Sequence, residues 1–386
     1  MEIGGDLILL TSRERLLKVI KGEIPDHVPV TPDISNMIPA KLTKKPFWEI
    51  YLYKNPPQWK AYIDAVKYFG FDSLMDGYVP VNFEDLGEIT HTWEELIVSR
   101  CDDRIITQKY KIEDDKKIWS DTVSVYYRAD PPTHGLAPEE VGLSLEPDSY
   151  EPVKGVQEWP QGEKLLNLAQ EEMGEHGLVG VNCGTTKLVN TEEQIYDYYD
   201  NPEKYHQKRE KLLDYYQKRF DKLMSLDVKP DFICTGASGT LIHQTVEMFR
   251  ELALPMVKRI TKLAKEEEIP THVHSCGPQK DLVRILAEET ELTVIDPLEP
   301  PPMGDCNLKE LKEKYGDKLV LKGNLHTTKI MLHGTRKEVV DASRKAIDAA
   351  AENGGFILST GDQCGRDTPE ENIFAMIETA KIYGKY

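Results

Sequence analysis

Along this chain, short apolar runs ending in Gly, Asp or Cys alternate with longer stretches in which apolar residues recur at helical spacing. A short apolar run bounded by turn residues reads as a strand buried on both faces. Its regular alternation with helices predicts βα units and a parallel sheet. The predicted strands are Val28–Asp33, Asp72–Gly77, Leu178–Gly184, Asp231–Gly236, Pro270–Cys276, Thr293–Glu299, Leu319–Leu325 and Phe356–Thr360. Eight such strands close a barrel, so the pattern predicts a single (β/α)8 TIM barrel over residues 1–386 with an N-terminal extension. Helix starts fall between the strands, at Thr191-Glu192-Glu193, at Thr335 followed by Glu338, and at Thr368-Pro369-Glu370-Glu371. The last two place Thr at the N-cap with Glu three residues on, a capping box, and Gly354-Gly355 closes a helix before the final strand.

One stretch breaks the alternation. Ile105–Tyr110 and Lys117–Tyr127 read as two strands around the polar turn Glu113-Asp114-Asp115, followed by a Pro-rich segment to Pro160. This predicts a β-hairpin insertion of about residues 99–160 after the second strand, with a trailing loop that overhangs the barrel mouth and shapes access for a substrate.

Composition narrows the function classes. A 40% hydrophobic and 30% charged balance over 386 residues supplies a sizeable core and speaks against disorder. The net charge of −18 is spread along the chain without a basic patch. Such a field repels phosphate backbones and anionic lipid surfaces, so neither nucleic acid nor membrane is an expected partner. The N-terminal apolar run, residues 7–10 behind Asp6, is too short for a signal peptide or a span, which predicts a cytoplasmic protein. Cys101, Cys183, Cys234, Cys276, Cys306 and Cys364 are widely scattered, unlike a secreted disulfide framework, and leave thiols free for metal or catalysis.

The chemistry concentrates where Thr271-His272-Val273-His274-Ser275-Cys276 runs into Gly277-Pro278. Strand side chains alternate, so His272, His274 and Cys276 share one face, and imidazole and thiolate can reach a single ion from the strand's end. Zinc takes such donors, and a catalytic site uses three protein ligands with one position open. The competing reading is a lining His and a packed thiol. The third ligand candidate is Cys364 in Gly361-Asp362-Gln363-Cys364-Gly365, because loops after barrel strands converge on one mouth; Asp362 is its rival, placed second because thiolate is the softer donor. Glu299, in Asp296-Pro297-Leu298-Glu299-Pro300, is a candidate fourth ligand or proton acceptor, or else a carboxylate that only caps a loop. Cys183 and Cys234 are expected to pack, and His243, His326 and His333 to be structural.

These residues resemble the uroporphyrinogen decarboxylase superfamily, and within it the zinc- and corrinoid-dependent methyltransferases. The resemblance is carried by Ser12-Arg13-Glu14-Arg15-Leu16-Leu17 through Pro25-Asp26-His27-Val28-Pro29-Val30, by Glu247-Met248-Phe249-Arg250-Glu251, His274-Ser275-Cys276-Gly277 and Gly323-Asn324-Leu325, and by Asp367-Thr368-Pro369-Glu370-Glu371-Asn372. It is specific in the C-terminal half and looser before residue 170. The decarboxylase itself fits poorly, since its N-terminal motif supplies arginines for a polycarboxylate, whereas this chain reads Pro32-Asp33-Ile34-Ser35-Asn36-Met37.

The methyltransferase branch implies a metal set of His274, Cys276 and Cys364, although rigid spacing to Thr368-Pro369 would put the late Cys of thiol-methylating members near Asp362. It further implies zinc as Lewis acid and cobalamin carried by a separate corrinoid protein, because no Asp-x-His-x-x-Gly stretch for binding the cofactor occurs here. The expected donor is a small methoxylated aromatic, as in an O-demethylase. The alternatives are a methylcobalamin:thiol methyltransferase, a decarboxylase-like lyase, and a metal-binding barrel without catalysis.

Overall fold

A computed structural model describes residues 9–89 and 92–386; of the N-terminal apolar run, residues 7 and 8 lie outside them. Strand β1 (Ser73–Met75) is followed by five antiparallel strands, β2 (Glu94–Arg100), β3 (Arg104–Glu113), β4 (Lys116–Tyr127), β5 (Thr133–Leu136) and β6 (Glu151–Pro152). The parallel series then resumes with β7 (Gly177–Asn182), β8 (Phe232–Cys234), β9 (Thr271–His274), β10 (Val294–Asp296), β11 (Val320–Leu325) and β12 (Phe356–Thr360).

The seven parallel strands form one curled sheet in the order β1-β7-β8-β9-β10-β11-β12, with helices between them, a TIM-barrel-like α/β fold. The predicted first strand, residues 28–33, fills the remaining gap. Val30 bridges Leu358 in parallel, Leu358 N–H donates to Pro29 O at 2.8 Å, and Asp72 N–H donates to Val30 O at 3.0 Å. On the β1 side half of this pairing is made by a side chain, Val30 N–H to Asp72 Oδ2 at 2.9 Å, so the segment closes the ring without a full ladder.

The helix Ser12–Ile20 accounts for the N-terminal extension. Thr11 and Glu14 cap it reciprocally, and its buried face sets Leu16 and Val19 against Leu74, Leu178, Phe232, Val294, Val320 and Ile357. Each fully buried Leu or Val contributes about 1.5–3 kcal/mol. This plug seals the N-terminal end of the ring, and its own buried Arg15 pairs with Asp26 at 2.7 Å and Asp72 at 2.6 Å. The open end is therefore the C-terminal one. The capping box at Thr335 and Glu338 is present, and Gly354 and Gly355 both take positive φ. At Thr368 the expectation fails: its hydroxyl is buried without a hydrogen-bond partner, and the last helix starts at Glu370 behind Pro369.

The insertion is larger than the predicted hairpin. Strands β3 and β4 form that hairpin around Asp114 and Asp115, whose φ values of 49° and 60° suit a tight two-residue turn, but they lie inside a five-stranded sheet of order β5-β4-β3-β2-β6. One face of the sheet packs Ile97, Ile105 and Tyr126 on Leu52 and Trp48, and the other collects Val98, Ile106, Val123 and Val125. The trailing Pro-rich segment is strapped to the region before β1: Trp159 Nε1–H donates to Lys54 O at 3.0 Å, and its ring meets Trp59 edge-on at 5.4 Å. No helix among the described residues is long and apolar enough to cross a membrane.

Candidate metal centre at the barrel mouth

Parallel register sets the site. His272 on β9 lies opposite Cys234 on β8, and His274 opposite Asp296 on β10. Both imidazoles point inward, while Val273 between them is buried in the layer under the helices. Asp296, fully buried, is the hub: its Oδ1 is 3.1 Å from His272 Nε2 and 3.1 Å from His274 Nδ1, and its Oδ2 accepts from the buried Lys322 ammonium on β11. Burial alone would raise the Asp296 carboxyl, yet Lys322 and the two imidazoles outweigh it and hold it well below the usual carboxylate range. In the reverse sense, burial disfavours charge on His272, but Asp296 and Asp76 lift it to about 9.

With Nδ1 tied to Asp296, His274 directs Nε2 at the mouth, 3.7 Å from Asp362 Oδ1. Donor atoms of His274, Cys276 and Asp362 all lie within 4.8 Å of one another. Two backbone features permit this. Gly236 lets the exit of β8 lie against the His274 backbone, where a Cβ would come within 2.5 Å of His274 N. Gly277 takes φ +87°, turning the chain directly after Cys276, and Glu299 Oε2 accepts from the Gly277 N–H at 2.5 Å. Asp362 itself sits at φ +145°, a conformation that few residues other than glycine adopt and that persists only where surrounding structure enforces it.

The structure thus brings together three of the five residues singled out in the sequence and sets Glu299 beside them, its carboxyl raised by burial and by Asp362. Cys364 is not brought in. After Asp362 the loop turns back, Cys364 N–H donates to Asp33 O at 2.8 Å, and burial pushes its thiol up to about 12, with Thr368 and Thr360 as neighbours. Alternation does not govern a loop, so neither residue parity nor donor softness could choose between Asp362 and Cys364. Cys183 packs in the core with its thiol on Tyr216 O at 3.4 Å, and His326 caps a helical turn through Lys329 N–H.

Sequence reasoning missed Asp33, Asp76 and Lys322. Asp33 and Asp76 stand at the ends of the predicted first and second strands, the position that in a barrel reads as functional, so a signal existed. Together with Asn36, Gln58, Asn182 and His274 they line a mouth cavity of about 380 Å³ that has no Lys or Arg in its wall. Burial raises the Asp33 carboxyl to about 6 in spite of Lys322 and His274. A second hollow of about 700 Å³ shares Gln58, Gly77 and Tyr78 with the first and is walled by Tyr51, Trp59 and Trp159. The insertion reaches this hollow through Val156–Gln161, not through the turn at Glu113-Asp114-Asp115.

Imidazole nitrogen, thiolate sulfur and carboxylate oxygen are a donor set that suits zinc, three ligands leave a position open, and a carboxylate behind the ligating imidazole is the usual orienting partner. His274, Cys276, Asp362 and Asp296 meet each of these conditions.

Residues 184–383 match the family model for uroporphyrinogen decarboxylase (URO-D). Among curated proteins, the methylcobamide:CoM methyltransferase MtbA of Methanosarcina acetivorans is 28% identical over 137 residues, and that of Methanosarcina mazei 29% over 139 residues. Each match covers 36% of this chain and 37% of the relative, little more than a third of either length. A solved methyltransferase from Methanosarcina mazei superposes over 97% of this chain and 99% of its own with a TM-score of 0.58 at 16% identity, a likeness of fold. With the family model spanning just over half of the 386 residues, and the barrel and its mouth as described, the chain belongs to the uroporphyrinogen decarboxylase family.

Proposed function

We propose that this chain is a zinc-dependent methyltransferase that moves a methyl group from a small methoxylated aromatic to the cobalt of a separate corrinoid protein in the cytoplasm. The observation that carries this reading is the grouping of His274, Cys276 and Asp362 at the C-terminal mouth with Asp296 behind His274. When bound there, zinc supplies Lewis acidity that stabilises an oxygen leaving group.

The chain's own residues do the rest. Asp296 fixes the His274 tautomer, Glu299 holds the turn that presents Cys276, and the aromatic walls at Tyr78 and Trp159 favour a flat, uncharged ring over a polyanion. A cavity lined by Asp33 and Asp76 without Lys or Arg speaks against a polycarboxylate substrate, and so against the decarboxylase reading. A carrier-bound corrinoid would supply the nucleophile that accepts the methyl group, while His274, Cys276 and Asp362 would hold the zinc that stabilises the departing phenolate.

A second reading has one specific support: both MtbA relatives are named for transfer between a methylcobamide and a thiol, CoM. Corrinoid absorption spectra separate the two. Purified chain with cob(I)alamin and 2-methoxyphenol should generate methylcobalamin and free catechol. Loss of the methyl from methylcobalamin only on adding a thiol would favour the second reading, and no change in either assay would leave a metal-binding barrel without methyl transfer.

A further inference from the structure

A second constellation lies one pleat deeper in the barrel. Asp76 at the end of β1, Cys234 at the end of β8 and His272 on β9 each offer a donor atom, and these atoms lie within 4.8 Å of one another. His272 is 1% exposed, its Nε2 is held by Asp296, and its Nδ1 has no hydrogen-bond partner although Asp76 Oδ2 is 3.3 Å away. A buried imidazole nitrogen that faces a carboxylate at 3.3 Å and a thiol without a well-aligned hydrogen bond to either is disposed to share those donors with a metal ion.

We propose that Asp76, Cys234 and His272 form a second metal site, for a divalent first-row ion that accepts nitrogen, sulfur and oxygen donors, zinc being the best match. The arrangement repeats the logic of the first centre. One oxygen of Asp296 orients both imidazoles in opposite senses, taking Nδ1 of His274 and Nε2 of His272, so that each presents its other nitrogen to a separate Cys and Asp. Entry is open, because Asp76 and Cys234 line the mouth cavity. Binding exchanges protons for metal: the Cys234 S–H and any His272 proton pass to solvent as the metal–sulfur and metal–nitrogen bonds form, with no change of oxidation state. The two ligand charges of Asp76 and Cys234 then neutralise a divalent ion, while Lys322 stays paired with Asp296.

The inference does not depend on methyl transfer, and metal content tests it directly. Whole chain loaded with zinc, freed of loosely held metal and analysed by elemental analysis should carry about two ions, falling to about one in Cys234→Ser and to about one in Cys276→Ser. Asp76→Asn changes a polar, part-exposed group at the mouth and serves if the buried Cys234 variant folds poorly; it too should lose about half the metal. With cobalt(II) in place of zinc, the thiolate-to-metal band should halve in either Cys variant. A wild-type chain with one ion, lost in Cys276→Ser and untouched in Cys234→Ser and Asp76→Asn, would overturn the proposal and leave His272 as an ion-pair partner of Asp76. If Cys276→Ser keeps both ions while Asp76→Asn drops to one, the second site stands and the reading of the first centre falls.

Discussion

The barrel and the inserted sheet obey different rules. All five residues of β12 are buried, whereas of the twelve residues of β4 only Val123, Val125 and Tyr126 are. A strand covered on both faces by ring interior and helices has its register fixed twice over, and a slip of one residue would exchange His272 and His274 for Thr271 and Val273. That is what allows His274 to meet Asp296 across β10. The inserted sheet rests on two small apolar clusters and offers the site only the edge of a neighbouring hollow. The lesson is a division of labour: the doubly covered barrel strands fix the side chains at the mouth, and the insertion supplies one wall of the hollow beside it.

The sharpest way to break this division is at the metal. Asp362→Ala should remove the ion of the first centre and lower methyl transfer by more than about 100-fold, and Asp296→Asn, which unfastens His274 and His272 together and takes the charge from the partner of Lys322, should lower metal affinity by about 10–100-fold. Cys364→Ala should keep both. Elemental analysis and the corrinoid assay on the three variants decide the matter, since retained zinc in Asp362→Ala together with loss in Cys364→Ala would restore the thiol as third ligand. A smaller effect sharpens the contrast in stability. Leu178→Ala, fully buried between ring and plug, should cost about 2–5 kcal/mol by urea unfolding. Val125→Ala in the insertion should cost about 1–3 kcal/mol and leave zinc unchanged. Zinc loss in the second variant would mean that the sheet supports the mouth after all.

How much of this was legible follows the same division. Each predicted barrel strand lands on an observed one or, for residues 28–33, on the closing segment, because continuous apolar runs between turn residues have few other readings; Phe356–Thr360 is matched to the residue. His274 and Cys276 follow from parity along one strand. Asp362 and Cys364 do not, since the choice rests on how a loop folds back onto Asp33. Asp296 was legible as a carboxylate near the mouth but not as a hub, because its partners are Lys322 and two imidazoles on neighbouring strands, a fact of register. In the insertion, Glu94–Arg100 escaped notice because three consecutive apolar residues flanked by charges are too short a signal, and β5 follows the prolines at 131 and 132.

Acid separates the regions by a smaller margin. In the barrel plug, burial would raise Asp26, but the Arg15 guanidinium and His27 outweigh it and hold the carboxyl at about 2. An unfolded Asp titrates near about 3.9, so the native state favours the ionised form, and the gain is present above that value and disappears as pH falls through about 2. The size is about 2 kcal/mol. In the insertion, the ion pairs Lys111–Glu113 and Arg100–Glu151 are exposed at the sheet margins, and solvent screening leaves such pairs worth about 0–1 kcal/mol. Urea unfolding between pH 5 and pH 2 should therefore show an increment of about 2 kcal/mol lost in the parent chain and missing in Asp26→Asn, which starts from lower stability at pH 5. Glu113→Gln should follow the parent curve. If the Glu113 variant flattened the acid limb and Asp26→Asn did not, acid stability would reside in the insertion, and the plug beneath the barrel would not be the anchor that its buried Arg15 indicates.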